Sequence, residues 1–213
     1  YDVYAQRVDP RGAVRWTIDG VPISKAANDQ EAQQLISDGA GGAIITWQDA
    51  RSVYNIYAQR VNSSGAVLWT TDGVPICTAA FSQAPQLVGD GTGGAIITWY
   101  DYRRDGIYAD IYAQRVDASG AVLWTTNGVP ICTAAYNQDY PQLMSDGTGG
   151  AIITWNDYRN VSGFVDIYAQ RVNASGAVLW ATDGVPICTS ANTQYAPELV
   201  SDGVGGAIIT WHD

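Results

Sequence analysis

The chain of 213 residues is 46% apolar and only 15% charged, which is typical of a folded domain with a large core and excludes a disordered chain. Its 21 acidic and 11 basic residues give a net charge of −10, which repels phosphate backbones, so we expect no nucleic acid as a partner. No apolar run approaches the length of a membrane span.

Two long motifs recur along the chain. Tyr-Ala-Gln-Arg-Val begins at Tyr4, Tyr57, Tyr112 and Tyr168, so successive copies are 53, 55 and 56 residues apart by subtraction. Asp-Gly-x-Gly-Gly-Ala-Ile-Ile-Thr-Trp ends at Trp47, Trp99, Trp155 and Trp211. A period in this range with several short strands per unit indicates a β-propeller or a solenoid.

Each repeat contains four predicted strands, A to D. In the second complete copy, strand A is expected at 85–89, strand B at 95–100 and strand C at 111–116, and strand D begins at 121–124 and continues through 129–131. Apolar residues alternate or run continuously and glycines separate the units, so no helix is expected. We therefore predict an all-β fold, a β-propeller of four four-stranded blades of about 55 residues each.

The two ends of the chain contain complementary strands. The sequence opens in a strand C at 1–8 and stops after a strand B at 207–211. Pairing the C-terminal strands A and B with the N-terminal strands C and D would close a ring without a free sheet edge, and residues 1–213 would form one domain. Two chains that exchange halves would instead build an eight-bladed ring, so we expect either a monomer or a ring-sharing homodimer.

The turns between strands C and D carry a further motif. An Asn or Asp, a Ser, a Gly and a Trp follow one another from Asn62 to Trp69, and related segments begin at Asp9, Asp117 and Asn173. The motif resembles the Asp-box of sialidase-like secreted propellers. The whole repeat also resembles the Trp-x-Asp-x-Arg and Ile-Tyr-Ala-Gln-Arg repeats of large secreted or surface proteins of bacteria and archaea. The resemblance implies a propeller and a secreted or cell-surface location.

The sequence shows no catalytic constellation. The resemblance to sialidase-like enzymes implies one asymmetric site with an arginine cluster, a Tyr and Glu pair and an acid/base Asp. Nearly every polar residue here recurs in each repeat. The exceptions include Lys25, Glu31, Arg104 and Asp105, which form no recognisable acid/base pair. His212 is the only histidine, so neither a His-based triad nor a His-rich metal site can be built. We expect no catalytic residue, no metal site and no cofactor.

The best candidates for ligand binding are the Trp-x-Asp-x-Arg motifs after strand B and the tyrosines of the variable loops. An aromatic face beside an Asp acceptor and an Arg donor suits a sugar ring and its hydroxyls. The alternative is structural, with Asp capping backbone amides and pairing with Arg. The B–C and D–A loops vary between copies and share one face of a propeller, as expected of a binding surface. The predicted ligand-binding residues are Trp47, Asp49, Arg51, Trp99, Asp101, Arg103, Trp155, Asp157, Arg159, Trp211, Asp213, Tyr102, Tyr136 and Tyr158.

These patterns predict a non-catalytic, lectin-like module that binds carbohydrate at several related sites, with glycans or a protein as its partner and no enzyme activity. The alternative hypothesis is a structural or adhesive repeat domain of a larger secreted or surface protein. A third hypothesis is a sialidase-type glycosidase, which an unrepeated pair of carboxyl groups facing each other across the mouth of the ring would favour.

Overall fold

The computed structural model describes residues 1–79, 81–160 and 163–213. These ranges contain sixteen strands and no helix, and therefore no helix that could cross a membrane. The strands of the first half are β1 (Val3–Ala5), β2 (Val21–Ser24), β3 (Gln30–Ser37), β4 (Ala43–Asp49), β5 (Asn55–Val61), β6 (Val74–Cys77), β7 (Gln83–Gly89) and β8 (Ala95–Asp101). The strands of the second half are β9 (Asp110–Val116), β10 (Val129–Cys132), β11 (Gln138–Ser145), β12 (Ala151–Asp157), β13 (Asp166–Val172), β14 (Val185–Cys188), β15 (Tyr195–Ser201) and β16 (Ala207–His212).

Twelve of these strands form three antiparallel four-stranded sheets. We call them sheet I (β3 to β6), sheet II (β7 to β10) and sheet III (β11 to β14). The remaining strands form two-stranded sheets, the N-terminal half-sheet (β1 and β2) and the C-terminal half-sheet (β15 and β16). Within each full sheet the strands lie in the predicted order A, B, C, D. The prediction of an all-β fold with four-stranded repeats is confirmed at this level.

The Asp-Gly-x-Gly-Gly motif closes each A–B hairpin. In sheet II, Oδ1 of Asp90 accepts hydrogen bonds from the backbone N–H groups of Thr92 and Gly94, at 2.8 and 2.9 Å. Gly93 has a φ of 90°, a conformation that favours glycine. A β-carbon on Gly94 would lie 2.2 Å from the carbonyl oxygen of Val116, so no side chain fits there. The turn itself therefore accounts for the repeated motif.

The hydrophobic core lies between successive sheets. Trp99 of sheet II belongs to one buried cluster with Ile56 and Cys77 of sheet I. Trp155 of sheet III belongs to a second cluster with Ile111 of sheet II. Every residue of β8 and β12 is buried, because both strands are covered on both faces by neighbouring sheets. Because both faces of strand B are buried, its sequence Ala-Ile-Ile-Thr-Trp is continuously apolar or uncharged and does not alternate with charged residues.

A repeated set of polar contacts joins each sheet to the next at the C–D turn. Arg60 of sheet I pairs with Asp38 of its own A–B turn at 3.0 Å and donates from Nη1 to the carbonyl oxygen of Ala118 in sheet II, also at 3.0 Å. Nε1 of Trp69 donates to the same carbonyl at 3.2 Å, and its ring packs on Gly120. We call these contacts the inter-sheet clasp. The corresponding donors and carbonyls at the other two junctions are Arg7 and Trp16 to Ser63, and Arg115 and Trp124 to Ala174.

Strand D lies later in the chain than predicted. In sheet II the outer strand is β10, and the segment 121–124 makes only one isolated bridge to strand C. The side chain of Gln114 holds this segment, because its Oε1 accepts a hydrogen bond from the backbone N–H of Trp124 at 2.9 Å. The predicted start of strand D at 121 was therefore wrong, and Trp124 precedes the strand.

The predicted closure of the ring was also wrong for this structure. Strand β1 pairs only with β2, and β16 pairs only with β15, so the half-sheets remain separate. Sheets pack in chain order, with β3 on β7, β7 on β11 and β11 on β15. The described residues therefore form an open series of sheets in which β1 and β16 each have one unpaired edge. Ile208 on β16 is 58% exposed, whereas the equivalent Ile96 and Ile152 are fully buried.

Replacement of Gly128 by alanine should destabilise the protein more than replacement of Gly147. Both glycines have left-handed φ values, of 88° and 76°, so each alanine adds roughly 1–2 kcal/mol of backbone strain. A β-carbon at Gly128 would also lie 2.6 Å from the Trp99 ring, whereas at Gly147 nothing lies within 4 Å. Overpacking of this kind adds about 1–3 kcal/mol. Urea unfolding measures the difference, and equal losses would show that the indole does not pack on this turn.

Candidate active site

The Trp-x-Asp-x-Arg motifs form closed networks inside the sheets. In sheet II, Nε1 of Trp99 donates to Oδ2 of Asp101 at 2.9 Å, and the guanidinium of Arg103 binds both carboxylate oxygens at 2.5–2.9 Å. The guanidinium also lies over the ring of Tyr112, 3.7 Å from its centroid, and donates to Sγ of Cys77 in sheet I at 3.1 Å. Sheets I and III repeat the network with Trp47, Asp49 and Arg51, and with Trp155, Asp157 and Arg159.

Burial leaves these tryptophans without a free face for a ligand. The fully buried side chains of the three networks, at 0% exposure, are Trp47, Trp99, Trp155, Asp49, Asp101 and Asp157. Burial opposes ionisation of Asp49, but hydrogen bonds from Arg51 and Trp47 outweigh it and lower the pKa of the carboxyl. A carboxylate that already binds an indole and a guanidinium has little capacity left for sugar hydroxyls. This geometry supports the structural alternative for the motif.

The fourth copy of the motif lies at the open end of the series. Trp211 is half-buried and Asp213 is exposed, and no hydrogen bond joins them in the described part of the chain. His212 instead packs against Tyr195, with 5.2 Å between the ring centroids. The network is therefore not formed in the C-terminal half-sheet.

The predicted tyrosines lie on the face where the B–C and D–A loops meet. The backbone N–H of Gln138 donates to the carbonyl oxygen of Ala109 at 2.8 Å, which joins a D–A connector to a B–C loop. Tyr108 and Tyr136 make an edge-to-face contact with 5.5 Å between centroids. Together with Tyr158 they line a groove of about 290 Å³, which we call the tyrosine groove. Its exposed ring faces are suited to sugar rings.

The observed strand register reveals a carboxyl group that the sequence analysis missed. The strand A residue that pairs with the position before the Asp of strand B differs in every repeat: it is Glu31, Gln83, Asp139 or Tyr195. Asp139 pairs with Asn156, whose Nδ2 donates to Oδ1 of Asp139 at 3.2 Å. The feature that identifies Asp139 is that one strand A position differs in charge between repeats whose neighbouring residues are the same. It becomes visible only when the strand pairing aligns the four copies.

Asp139 lies among four tyrosines, Tyr100, Tyr102, Tyr140 and Tyr158, which we call the tyrosine cluster. The ring centroid of Tyr100 is 6.2 Å from that of Tyr102 and 5.9 Å from that of Tyr140. Burial, followed by the charges of Asp139 and Tyr140, raises the pKa of both Tyr102 and Tyr158. The structure thus brings two of the predicted site residues, Tyr102 and Tyr158, next to the same carboxyl.

The environment of Asp139 favours its protonated form. Burial raises the pKa of the carboxyl to about 6, while the hydrogen bond from Asn156 lowers it and the charge of Asp157 raises it further. A carboxyl group with a pKa in this range can give a proton to a leaving group and take it back near neutral pH.

A bulge in strand A presents Tyr140 beside this carboxyl. Tyr140 has a φ of 49°, a left-handed value that is rare for a bulky residue, and the strand register shifts here. Bulges often lie beside active sites, where they redirect a side chain. The equivalent residues, with φ values of 49–53°, are Ala32, Ala84 and Ala196. Only the third repeat therefore places an aromatic ring at the bulge.

A cavity of about 290 Å³ lies between sheet III and the C-terminal half-sheet, and we call it the junction cavity. Tyr140 and Tyr195 line it and are 57% and 51% exposed. Asn156 contributes to the wall, and its Oδ1 accepts a hydrogen bond from the backbone N–H of Ala196 at 3.1 Å. The amide that binds Asp139 therefore also borders the junction cavity.

Glu198 is a second unrepeated carboxyl, and it also lines the junction cavity. Its side chain is exposed. The strand register aligns it with a glutamine in each of the other repeats, namely Gln34, Gln86 and Gln142. Glu198 therefore lines the cavity directly, and Asp139 is linked to it through its hydrogen bond with Asn156.

Another carboxyl with a raised pKa, that of Asp110, lies at the start of strand C in sheet II. Burial raises the pKa of Asp110 to about 7, although Arg104 lies 3.1 Å from it and acts in the opposite direction. Asp110 is fully buried, so it cannot touch a ligand. In the described residues no three His, Cys, Asp or Glu side chains are grouped so as to hold a metal ion.

Comparisons with known proteins show a fold and not a family. No protein-family model and no curated protein matches the chain. Among solved structures, an α-L-arabinofuranosidase from Fusarium graminearum in complex with an iminosugar inhibitor matches with a TM-score of 0.54 and 13% identity, over 84% of this chain and 55% of that one. An endo-arabinase from Bacteroides thetaiotaomicron VPI-5482 matches with a TM-score of 0.48 and 19% identity, over 88% of this chain and 72% of that one.

The comparison corrects the function expected from the sequence. The Fusarium protein, which shares the fold, is a glycoside hydrolase, and the matched region spans about half of its length. The prediction of a non-catalytic, lectin-like module is therefore not retained, nor is its structural or adhesive alternative. The expectation of no enzyme activity is withdrawn with it.

Replacement of Asp101 by asparagine should lower the free energy of unfolding by about 3 kcal/mol or more, because it leaves the Arg103 guanidinium without its counter-charge beside the core. Asp19→Asn is the matched control. Asp19 is exposed, and the repeat itself carries asparagine at the equivalent Asn127. Denaturant unfolding of both variants measures the two losses. A loss for Asp101→Asn as small as that of the control would contradict a structural role for the network.

Proposed function

We propose that this chain is a glycoside hydrolase whose reaction takes place between the tyrosine cluster and the junction cavity. The observation that carries the proposal is Asp139, an unrepeated carboxyl with a pKa of about 6 beside the half-buried Tyr102 and Tyr158. The fold shared with the α-L-arabinofuranosidase supports the same class of reaction. The Asp-box relationship and the secreted or cell-surface location remain part of the proposal.

Asp139 acts as the general acid. Its proton passes to the glycosidic oxygen as the bond between that oxygen and the anomeric carbon breaks. Asn156 holds the carboxyl by its hydrogen bond of 3.2 Å and so fixes which oxygen faces the substrate. The leaving sugar departs with the proton, and Asp139 is left ionised.

Glu198 supplies the second carboxylate. It borders the junction cavity, whose volume of about 290 Å³ lies at the lower end of the range for ligand clefts and suits one sugar residue with water. A water molecule adds its oxygen to the anomeric carbon and gives a proton to Glu198. Transfer of that proton back to Asp139 through solvent restores the starting state.

The substrate class that the site supports best is a neutral sugar. The arginines of the B–C loops and of strand C already bind aspartates, as in the pairs Arg103 with Asp101 and Arg115 with Asp90. No free arginine cluster for a substrate carboxylate is therefore available among the described residues near the site. The net charge of −10 also disfavours anionic glycans. The tyrosine groove offers further aromatic faces, which favours an oligosaccharide such as an arabinan fragment.

Hydrolysis of neutral 4-nitrophenyl glycosides, with the α-L-arabinofuranoside first, and of arabinan tests this function. Asp139→Asn should lower kcat by roughly 10²- to 10⁴-fold because the acid is lost, and Glu198→Gln should have a loss of similar size. Glu31→Gln is the matched control, because Glu31 occupies the register position of Asp139 in sheet I, and its kcat should not change. Absence of hydrolysis by the unmodified protein across these substrates would overturn the proposal.

The raised pKa of Asp139 also predicts a pH dependence of stability. In the unfolded chain this carboxyl ionises near 3.8 and in the folded protein near 6, so between these values the folded state binds more protons. The free energy of unfolding should therefore fall as pH rises through this window. Asp139→Asn removes this contribution, so its Tm should fall less between pH 4 and pH 7 than the Tm of the unmodified protein.

Asp110, whose pKa is also raised, is present in both proteins, so its contribution cancels in this comparison. Calorimetry of the two proteins across the pH range measures the difference. Parallel curves would show that Asp139 is already ionised throughout the range and is not the acid.

A further inference from the structure

The tyrosine groove is connected to the carboxyl of Asp139 by one shared residue. Tyr158 lines the groove, and it also belongs to the tyrosine cluster, where burial and then the charge of Asp139 raise its pKa. The described residues that line the groove and those that line the junction cavity have no member in common. Asp139 is therefore linked to the groove through Tyr158 and to the junction cavity through Asn156.

Hydrogen bonds fix the segments that form the groove to one another. Oδ1 of Asp105 accepts a hydrogen bond from the backbone N–H of Tyr108 at 2.9 Å, which holds the B–C loop of sheet II. In the D–A connector, Oδ1 of Asn137 accepts from the backbone N–H of Ala109 at 3.0 Å. The carbonyl oxygen of Asn137 accepts from the backbone N–H of Tyr158 at 2.9 Å. The groove is thus formed before a ligand binds, which lowers the entropic cost of binding.

Tyr136 presents its ring from a backbone conformation that does not suit a tyrosine. Its φ is 64°, a left-handed value that bulky residues rarely adopt. Two of the three equivalent residues are Asn28 and Asn192, and asparagine tolerates this conformation better. The third is Phe81. Tyr136 is 42% exposed, so the core does not require its ring, and residues held in such a conformation often lie at ligand sites.

The side chains of the groove suit a neutral sugar ring. The described residues that line it are all uncharged, namely Tyr108, Tyr136, Asn137, Tyr158, Asn160 and Gly163. The rings of Tyr108 and Tyr136 are almost perpendicular, at 82°, and aromatic faces pack well on the apolar face of a sugar. Because Oδ1 of Asn137 already accepts a backbone hydrogen bond, its Nδ2 is the group that can donate to a sugar hydroxyl. The volume of about 290 Å³ suits one sugar residue.

We propose that the tyrosine groove binds the sugar residue on the leaving-group side of the bond that Asp139 protonates. This inference rests on the proposed glycoside hydrolase function. A general acid gives its proton to the leaving-group oxygen, so the leaving sugar lies on the side of that acid. The groove is linked to the acid through Tyr158, whereas Glu198, which activates the water, lines the junction cavity. The substrate is therefore an oligosaccharide of at least two neutral sugars, with one ring in each site.

The test compares methyl α-L-arabinofuranoside, whose leaving group contains no ring, with arabino-oligosaccharides. Tyr136→Asn should raise KM for the oligosaccharides roughly 10-fold and leave kcat unchanged, because the lost stacking weakens the binding of substrate and transition state alike. For the methyl glycoside, kcat/KM should not change. The variant keeps the backbone conformation, since asparagine occupies the equivalent position in two other repeats.

Phe81→Asn is the matched control. Phe81 has a φ of 63° and is 49% exposed, but it does not line the groove. The control should therefore leave KM for the oligosaccharides unchanged. An unchanged KM in Tyr136→Asn would overturn the inference while the hydrolase function stands, and so would an equal loss on both substrates.

If the unmodified protein hydrolyses neither substrate, titration calorimetry with arabino-oligosaccharides separates the two proposals. Binding that Tyr136→Asn weakens and Phe81→Asn does not would support the groove as a sugar site and would show that only the catalytic assignment is wrong. Absence of binding to the unmodified protein would overturn the inference as well.

Discussion

Each sheet depends on a buried carboxylate at the end of strand B. Asp101 has no exposure to water, and its carboxylate accepts hydrogen bonds from both Trp99 and Arg103. The guanidinium in turn covers Tyr112 of strand C and reaches Cys77 of the preceding sheet. One charge pair thereby connects two strands and two sheets. The residues that looked most suitable for a ligand are used to hold the scaffold together, which is why they recur in every complete repeat.

Much of the fold could be predicted because its determinants are local. Glycine turns and continuous apolar runs placed strands A, B and C to within two residues of their observed bounds in sheet II. Strand D could not be placed, because the segment before it is held by the side chain of Gln114, which no strand pattern encodes. Ring closure could not be predicted, because it depends on the packing angles between successive sheets, which no local sequence pattern encodes. The burial of Trp99 could not be predicted either, because a Trp-x-Asp-x-Arg motif is compatible with a binding site and with a buried core.

The candidate site escaped the sequence analysis for a different reason. A search for repeats gives weight to what recurs, whereas Asp139, Tyr140 and Glu198 are departures from the repeat. The main-chain bulge is present in all four copies, so the strained backbone belongs to the scaffold, and only the side chain placed on it is particular to the third repeat. Glu198 lines the junction cavity, whereas Asp139 is linked to that cavity through its hydrogen bond with Asn156.

The inter-sheet clasp has a consequence for how such a chain changes in evolution. Its donors lie in one repeat and its acceptor lies at the same place in the next, so every junction has the same chemistry. Unequal recombination between copies of the repeat would therefore delete or add a whole sheet and still leave matched donors and acceptors at the new junction. The length of the array can vary without any compensating substitution, while each sheet keeps its own side chains on the loop face. Duplication of a repeat therefore adds loop positions whose side chains can change, while the sheet contacts that stabilise the scaffold are kept.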